Sequence, residues 1–429
     1  MKPVPPEPES ERERSPGAAV PPSAPESADE AARAGTSISA DPGRMVAPPA
    51  VEPDAAAATP ADRRAQGQLL TGRAARANLP SLSPGQLAWR RLKKNRLAVA
   101  GGIILLFMYT VALLAPFIAP YGYETQDPSA PYQPPMRIYF TPGPTAYGMT
   151  SRFNEYRERI WSPDPRDPRP IRFFVKGEPY KLFWFIPTNI HLFGTVEGKR
   201  VYLLGTDVFG RDYFSRLLYA SQISLSVGLI GIAITFTLGL LVGGASGFYG
   251  GKVDDIIMRL CEVIMSVPDF YLLLALAATL PPDMPPAQVY VMIIVILSFV
   301  GWAGMARVIR GMVLSVRERE YVEAARALGV SDFRIILRHV LPSTFTYAIV
   351  AATLSIHAYI LGEAGLSFLN LGIRDPMPSW GNMLNAAQNL YTLQNYYWIL
   401  APGVAIFITT LAFNFLGDGL RDALDPKSK

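Results

Sequence analysis

Long stretches of this chain carry no charged side chain: Leu97–Tyr123, Leu217–Gly251, Met284–Ala306, Val340–Gly362 and the later part of a run ending at Gly417. At 1.5 Å rise per residue, about 20 apolar residues in a helix cross the ~30 Å hydrocarbon core of a bilayer. A further apolar segment, Ile256–Leu280, is interrupted by Glu262 and Asp269. The pattern predicts an all-α polytopic membrane protein. Its six transmembrane helices are expected at about 98–120, 220–247, 256–280, 288–311, 343–363 and 397–418. Composition agrees, because only 17% of the 429 residues are charged, against about 25% in soluble domains.

Several chemistries are set aside by the inventory of reactive residues. Cys261 is the one cysteine, which excludes an internal disulfide framework and any multi-cysteine metal site. The three histidines, His191, His339 and His357, are scattered, so no metal and no cofactor are expected. The net charge of +5 does not point to nucleic acid, because most cations flank apolar spans or sit in polar tails.

Those cations set the orientation. Arg90, Arg91, Lys93, Lys94 and Arg96 precede the first span. Arg307, Arg310, Arg317, Arg319, Arg326, Arg334 and Arg338 lie between the fourth and fifth. The loop around Pro281–Pro285 has no Lys or Arg, and residues 363–396 have only Arg374. The positive-inside rule therefore places both termini and the loop 312–342 in the cytoplasm. Residues 1–85, rich in Pro, Ala, Glu, Ser and Arg, are expected to be a disordered cytoplasmic tail without a secretory-signal pattern. A basic juxtamembrane segment, 86–97, leads into the first helix. The core of helices two to six covers 217–426.

Residues 121–216 form an extracytoplasmic insertion. Its proline-rich first part, including Pro163, Pro165, Pro168 and Pro170, reads as irregular coil. Ile171–Val175 and Tyr180–Phe185 flank Lys176–Pro179 in a hairpin pattern. A second hairpin is expected about Glu197–Lys199, between Leu192–Val196 and Arg200–Leu204. The aromatics Phe173, Phe174, Tyr180, Phe183, Trp184 and Phe185 are expected mainly in the core of this small β-rich cap. Either a stabilising lid or a docking surface fits its position.

The loop 312–342 carries a compact pattern. Glu318–Leu328 is a short, largely charged helix with Tyr321, Val322, Ala325 and Leu328 along one side. Gly329 supplies a C-terminal cap, and Ser331 can start a second helix that leads to Pro342. Ala324 and Ala325 lack bulk, which suits close approach to a groove in another protein.

Glu323, Ala324, Ala325, Gly329, Leu341 and Pro342, at these spacings, resemble the EAA loop of ABC importer permeases, with His339 replacing the usual isoleucine. Three further stretches resemble the C-type subunit of the dipeptide/oligopeptide (nickel) branch. They are Leu204–Arg216 before helix two, Gly247–Asp254 after it, and Asn414–Pro426 at the end. Ala220, Ser221, Gln222 and Asn370 depart from the family's usual residues. The resemblance implies the six-helix type I importer permease fold with a small β-containing extracytoplasmic insertion. The chain would sit in a bacterial or archaeal cell (inner) membrane as one half of an ATP-driven importer for di- or oligopeptides. It implies as partners a second homologous permease subunit, two cytoplasmic ATPase subunits and an extracytoplasmic solute-binding protein. No Gly-x4-Gly-Lys-Ser/Thr phosphate loop is present, so ATP hydrolysis belongs to the partners. A secondary transporter would need paired broken helices in inverted repeats, which the sequence does not display. A membrane-anchored receptor or scaffold would not need the EAA geometry.

Inside the spans, Gly239, Gly243 and Gly247 share one helix face, as close helix packing requires. Asp269 follows Pro268. An ionised Asp at bilayer centre costs roughly 2.5–3.5 kcal/mol on insertion scales, so it should face water or the protein interior. Asp269 and Glu363 are the candidates for a translocation path. Gly365, Leu366 and Ser367 superficially suggest a membrane serine protease, but the nearby histidine, His357, lies on the same segment.

Overall fold

A computed structural model describes residues 83–425 except 142, 158, 196 and 197, so nearly all of the expected disordered tail lies outside the described residues. Helix α1 (Pro84–Lys94) opens with a reciprocal capping box between Ser83 and Gln86. Asn95 ends it and caps α2 (Arg96–Leu113) by accepting from the Ala98 amide. One further turn, α3 (Ala115–Ile118), follows Leu114.

The remaining long helices overrun the apolar runs that announce them. They are α4 (Tyr213–Tyr249), the pair α5 (Gly251–Met265) and α6 (Asp269–Ala277), and α7 (Pro286–Val316). The loop helix α8 (Glu320–Ala327) and the turn α9 (Asp332–Ile335) come next. A π turn, Ile336–Val340, joins α9 to α10 (Leu341–Phe368). Short helices α11 (Trp380–Leu384) and α12 (Leu390–Asn395) precede α13 (Ala401–Leu424). Among the described residues, five helical stretches are long and apolar enough to span a membrane, and the α5/α6 pair makes a sixth if read as one span.

That pair corrects the expected continuous helix 256–280, because α6 turns from α5 by 83°. Pro268 lacks an N–H, and its ring would clash with the carbonyl of Ile264 in an unbroken helix. Asp269 thereby becomes the first residue of α6, where a carboxylate complements the helix dipole.

Small residues allow α4 and α7 to approach closely. A Cβ on Gly243 would lie 2.4 Å from the Ala306 carbonyl oxygen, and one on Gly247 would lie 2.8 Å from that of Arg310. Gly228 and Gly231 give the same access to Ile356 and Tyr359 of α10. The two largest apolar clusters form around these contacts. One surrounds Leu225, Ile293, Ile360, Leu366 and Trp380; the other joins Phe248, Ile309, Val313, Val322, Ile335 and Val340.

The insertion holds a four-stranded antiparallel sheet in the order β1 (Ile138–Tyr139), β2 (Thr145–Phe153), β3 (Arg159–Leu182), β4 (Ile186–Thr195). The proline-rich 163–170 stretch is strand, contrary to the coil expectation. Residues 159–170 of β3 pair with β2, whereas 171–182 pair with β4. Each half thus has one free edge that tolerates missing N–H groups. The first hairpin turns at Phe183–Phe185, not at Lys176–Pro179, which forms an irregularity within β3. Glu178 is drawn out of a turn role by accepting from the Gly122 amide (2.9 Å) and the Thr125 hydroxyl (2.9 Å). The expected second hairpin does not form, since Arg200–Leu204 is not strand. Instead Val201 and Tyr202 are buried with Ala130, Met136, Ala146 and Ile171 in the insertion's own core.

Candidate functional site

Helix α8 is split between two roles by its periodicity. Val322 and Ala325 are buried, whereas Tyr321, Glu323, Ala324 and Leu328 are exposed. Its end is a Schellman turn: the Val330 amide donates to the Ala325 carbonyl (3.2 Å) and the Gly329 amide to Arg326 (3.0 Å). Gly329 has φ +74°, the left-handed region that glycine occupies without a Cβ penalty. Val330 then packs against the cluster containing Val322 and Ala325. Ser331 occupies the N-cap position of α9 without a side-chain capping bond. The π turn over Ile336–Val340 directly precedes Pro342, whose ring would otherwise press on the Arg338 carbonyl. Leu341 is buried and faces Gly244, where a Cβ would lie 2.9 Å from its Cδ2; Pro342 is exposed.

The same helices reach a cleft of about 530 Å³ lined by Asp269, Thr235, Gly301, Gly304, Met305 and Tyr359, among others. Met305 belongs both to this lining and to the core beneath α8. Asp269 is exposed to the cleft. Glu363 is not in its lining. It is fully buried, accepting from Ser224 Oγ (3.1 Å) and Ser367 Oγ (2.7 Å), and Ser224 Oγ in turn accepts from the Trp380 amide. Ser367 Oγ also accepts from the Ile373 amide. Its hydroxyl is therefore committed to structure.

Comparison with known proteins bears on this arrangement. Residues 235–429 match the family described as binding-protein-dependent transport system inner membrane component, and residues 83–135 match the N-terminal TM domain of oligopeptide transport permease C. A dipeptide transport system permease protein, DppC, of Bacillus subtilis is 36% identical over 81% of this chain and 87% of its own length. A glutathione transport system permease protein, GsiD, of Pectobacterium atrosepticum is 33% identical over 81% of this chain and 92% of its own. The DppC of Alkalihalophilus pseudofirmus is 32% identical over 81% and 92%. The chain belongs to the dipeptide/oligopeptide family of ABC importer permeases, as a C-type subunit. It is a transport subunit, not an enzyme.

Two charged clusters in this permease are not evident from motif reading alone. Near the loop end, Asp254 accepts from Arg310 Nε (2.7 Å) and Ser246 Oγ (2.6 Å), and Arg317 Nη1 donates to the Gly247 carbonyl (3.1 Å). These bonds tie the α4–α5 junction to α7. At the insertion end, Arg211 Nε donates to Asp207 (2.6 Å), and Arg211 and Arg216 both reach Asp375, the latter at 2.8 Å. Burial opposes ionisation of Asp375, but the Arg216 and Arg211 guanidiniums prevail and hold its carboxyl below the usual range. Asp212, beside them, caps α4 by accepting from the Ser215 amide (2.8 Å) and hydroxyl (2.6 Å). Its Oδ1 has no partner among the described residues. Burial pushes its pKa up to about 7 despite those hydrogen bonds. The signal for this cluster was the charged Leu204–Arg216 segment itself. Its acidic partner at 375 was not inferable.

Proposed function

We propose that this permease forms one half of the path for di- or oligopeptides, pairs with a homologous permease subunit and docks an ATPase through Glu323, Ala324 and the exposed face of α8. ATPase and binding-protein partners follow from the family. Two ATPase subunits are what the resemblance to importer permeases implies, and cytoplasmic placement of both termini and the α8 loop is the orientation that the distribution of Arg and Lys favours. A short-peptide solute is supported by the relatives named for dipeptide and glutathione transport. The observation that carries the reading is the double membership of one structural unit. Val322 and Ala325 of α8 are keyed into the core shared with α4, α7 and α10, and those helices line the cleft holding Asp269. Movement of a partner docked on α8 would then pass as a rigid-body displacement to the cleft. The binding protein would deliver solute at the opposite, insertion end.

The test is uptake by the four-subunit complex and its binding protein in proteoliposomes. Glu323→Ala and Gly329→Pro should each lower ATP-dependent uptake at least tenfold at normal insertion and abundance. The proline cannot adopt the +74° backbone angle of Gly329. Unimpaired uptake by both variants would reject the coupling role.

A further inference from the structure

The aromatic tip of the insertion lies beside the end of α2, a helix long and apolar enough to span a membrane. On α2, the exposed residues Val99, Ile103, Leu106, Thr110 and Leu113 recur every three or four positions, which is one continuous helix face. Phe117 extends that stripe by one turn, and its ring centre lies 6.3 Å from that of Phe174 on β3. Leu113 and Pro116 border a cavity of about 590 Å³ together with Phe183 and Trp184. The β3–β4 turn therefore hangs beside the end of a membrane-spanning helix, instead of standing clear of it.

The chemistry of the turn fits that depth. Phe173, Phe174, Trp184 and Phe185 are between 64% and 75% exposed, which overturns the expectation that they form the cap's core. Phe183 and Trp184 occupy the left-handed region, at φ 51° and 68°. A hairpin turning in water would place Asn or Gly at such positions. Here two bulky aromatics are held in a costly conformation that displays their rings. Within Ile171–Ile190 the sole acid is Glu178, engaged with Gly122 and Thr125, while Arg172, Lys176 and Lys181 are exposed.

We infer that the β3–β4 turn is an interfacial anchor, inserting Trp184 and Phe185 among the lipid headgroups and upper acyl chains of the leaflet at the insertion end. Tryptophan and tyrosine concentrate at this level of a bilayer because one part of the ring system is apolar and another polar. Lys176 and Lys181 are exposed, and side chains of this kind can lay their stems along an apolar boundary while their ammonium groups reach lipid phosphates. The partner is thus the lipid surface, which the exposed apolar stripe of α2 also suits.

The assembled transporter tests this in nanodiscs of mixed phosphatidylcholine and phosphatidylglycerol, with partner subunits free of reactive cysteines. Trp184→Cys is labelled with a nitroxide, which Cys261 does not compete for because it is buried. Tyr156→Cys, at a position 83% exposed on the β2–β3 turn, is the aqueous control. Electron paramagnetic resonance then compares collisions with oxygen and with a water-soluble nickel chelate. Oxygen should dominate at position 184 and nickel at position 156. Phe185→Cys provides the same readout if the first variant fails to assemble. Nickel dominating at 184 and 185 would overturn the anchor. So would protection from both reagents, which would mean that a permease subunit or the binding protein covers the turn.

Discussion

At the α8 loop, the residues assigned to a partner stand on the surface, and apolar contacts from beneath hold their backbone. At the insertion end the arrangement is reversed: charged groups are buried and aromatics are exposed. Arg216 has 4% of its side chain accessible while meeting Asp207 and Asp375. Glu323 is exposed and forms no ion pair among the described residues. The difference separates two tasks. A transmitting helix must offer a contact surface and remain rigidly joined to the spans. A lead-in segment must hold α4, the insertion and the α10–α13 connection in one geometry.

The largest contrast is expected between removing Arg216 and removing Glu323. Arg216→Ala leaves Asp207 and the half-exposed Asp375 with Arg211 alone, and losing charge-assisted hydrogen bonds from so buried a side chain costs about 1.5–3 kcal/mol. It should lower both thermal stability and membrane abundance of the purified complex. Glu323→Ala should leave the free energy of unfolding within about 0.5 kcal/mol of wild type, as for an ordinary surface change, while uptake fails. Fluorescence-detected unfolding beside vesicle uptake measures both. Equal stability losses would erase the proposed division between the two ends.

Legibility in the sequence follows the same division. The spans are readable because hydrocarbon tolerates few charges, and the α8 loop because its cap, its turn and its buried positions lie within eleven residues of one another. The insertion is shaped by distant partners. Lys176–Pro179 has the composition of a turn, yet Glu178 is captured by Gly122 and Thr125, more than fifty positions away. Pro163–Pro170 reads as coil until its free edge in the sheet is known. Asp375 meets Arg211 across 164 positions. The apolar run 256–280 reads as one helix, and neither the 83° turn at Pro268 nor the cleft that Asp269 lines is visible in it.

A smaller, pH-dependent effect isolates the insertion end. The Asp212 carboxyl is raised to about 7 by burial, so folding favours its protonated form. Its stabilising contribution is complete below the unfolded value of about 4 and is lost as pH rises toward 7. Asp375 has the opposite sign. Its contribution is present above the unfolded value and fails only as pH falls through the depressed folded one. Between pH 5 and 8 Asp212 therefore dominates this pair. Asp212→Asn keeps an acceptor for Ser215 at a favourable N-cap residue. It should reduce the loss of stability between pH 5 and pH 8, by no more than about 3 kcal/mol. An unchanged pH slope would show that the carboxyl stays charged in the fold.

The smallest predicted effect compares the two ends through one shared backbone motif. Helix α10 also closes in a Schellman turn: the Leu371 amide donates to Leu366 (2.9 Å) and the Asn370 amide to Ser367 (3.1 Å), with Asn370 at φ 63°. Asparagine is among the few residues other than glycine that enter this region readily. Gly329 fills the equivalent place after α8, and a Cβ there would meet nothing within 4 Å. Gly329→Asn and Asn370→Gly should therefore each shift stability by less than about 1 kcal/mol, in opposite directions. Both should leave uptake within about twofold of wild type, by the same vesicle assay. If Gly329→Asn instead abolished uptake, the bare Gly329 surface would itself be part of the ATPase contact, and the turn would contribute more than its backbone angle.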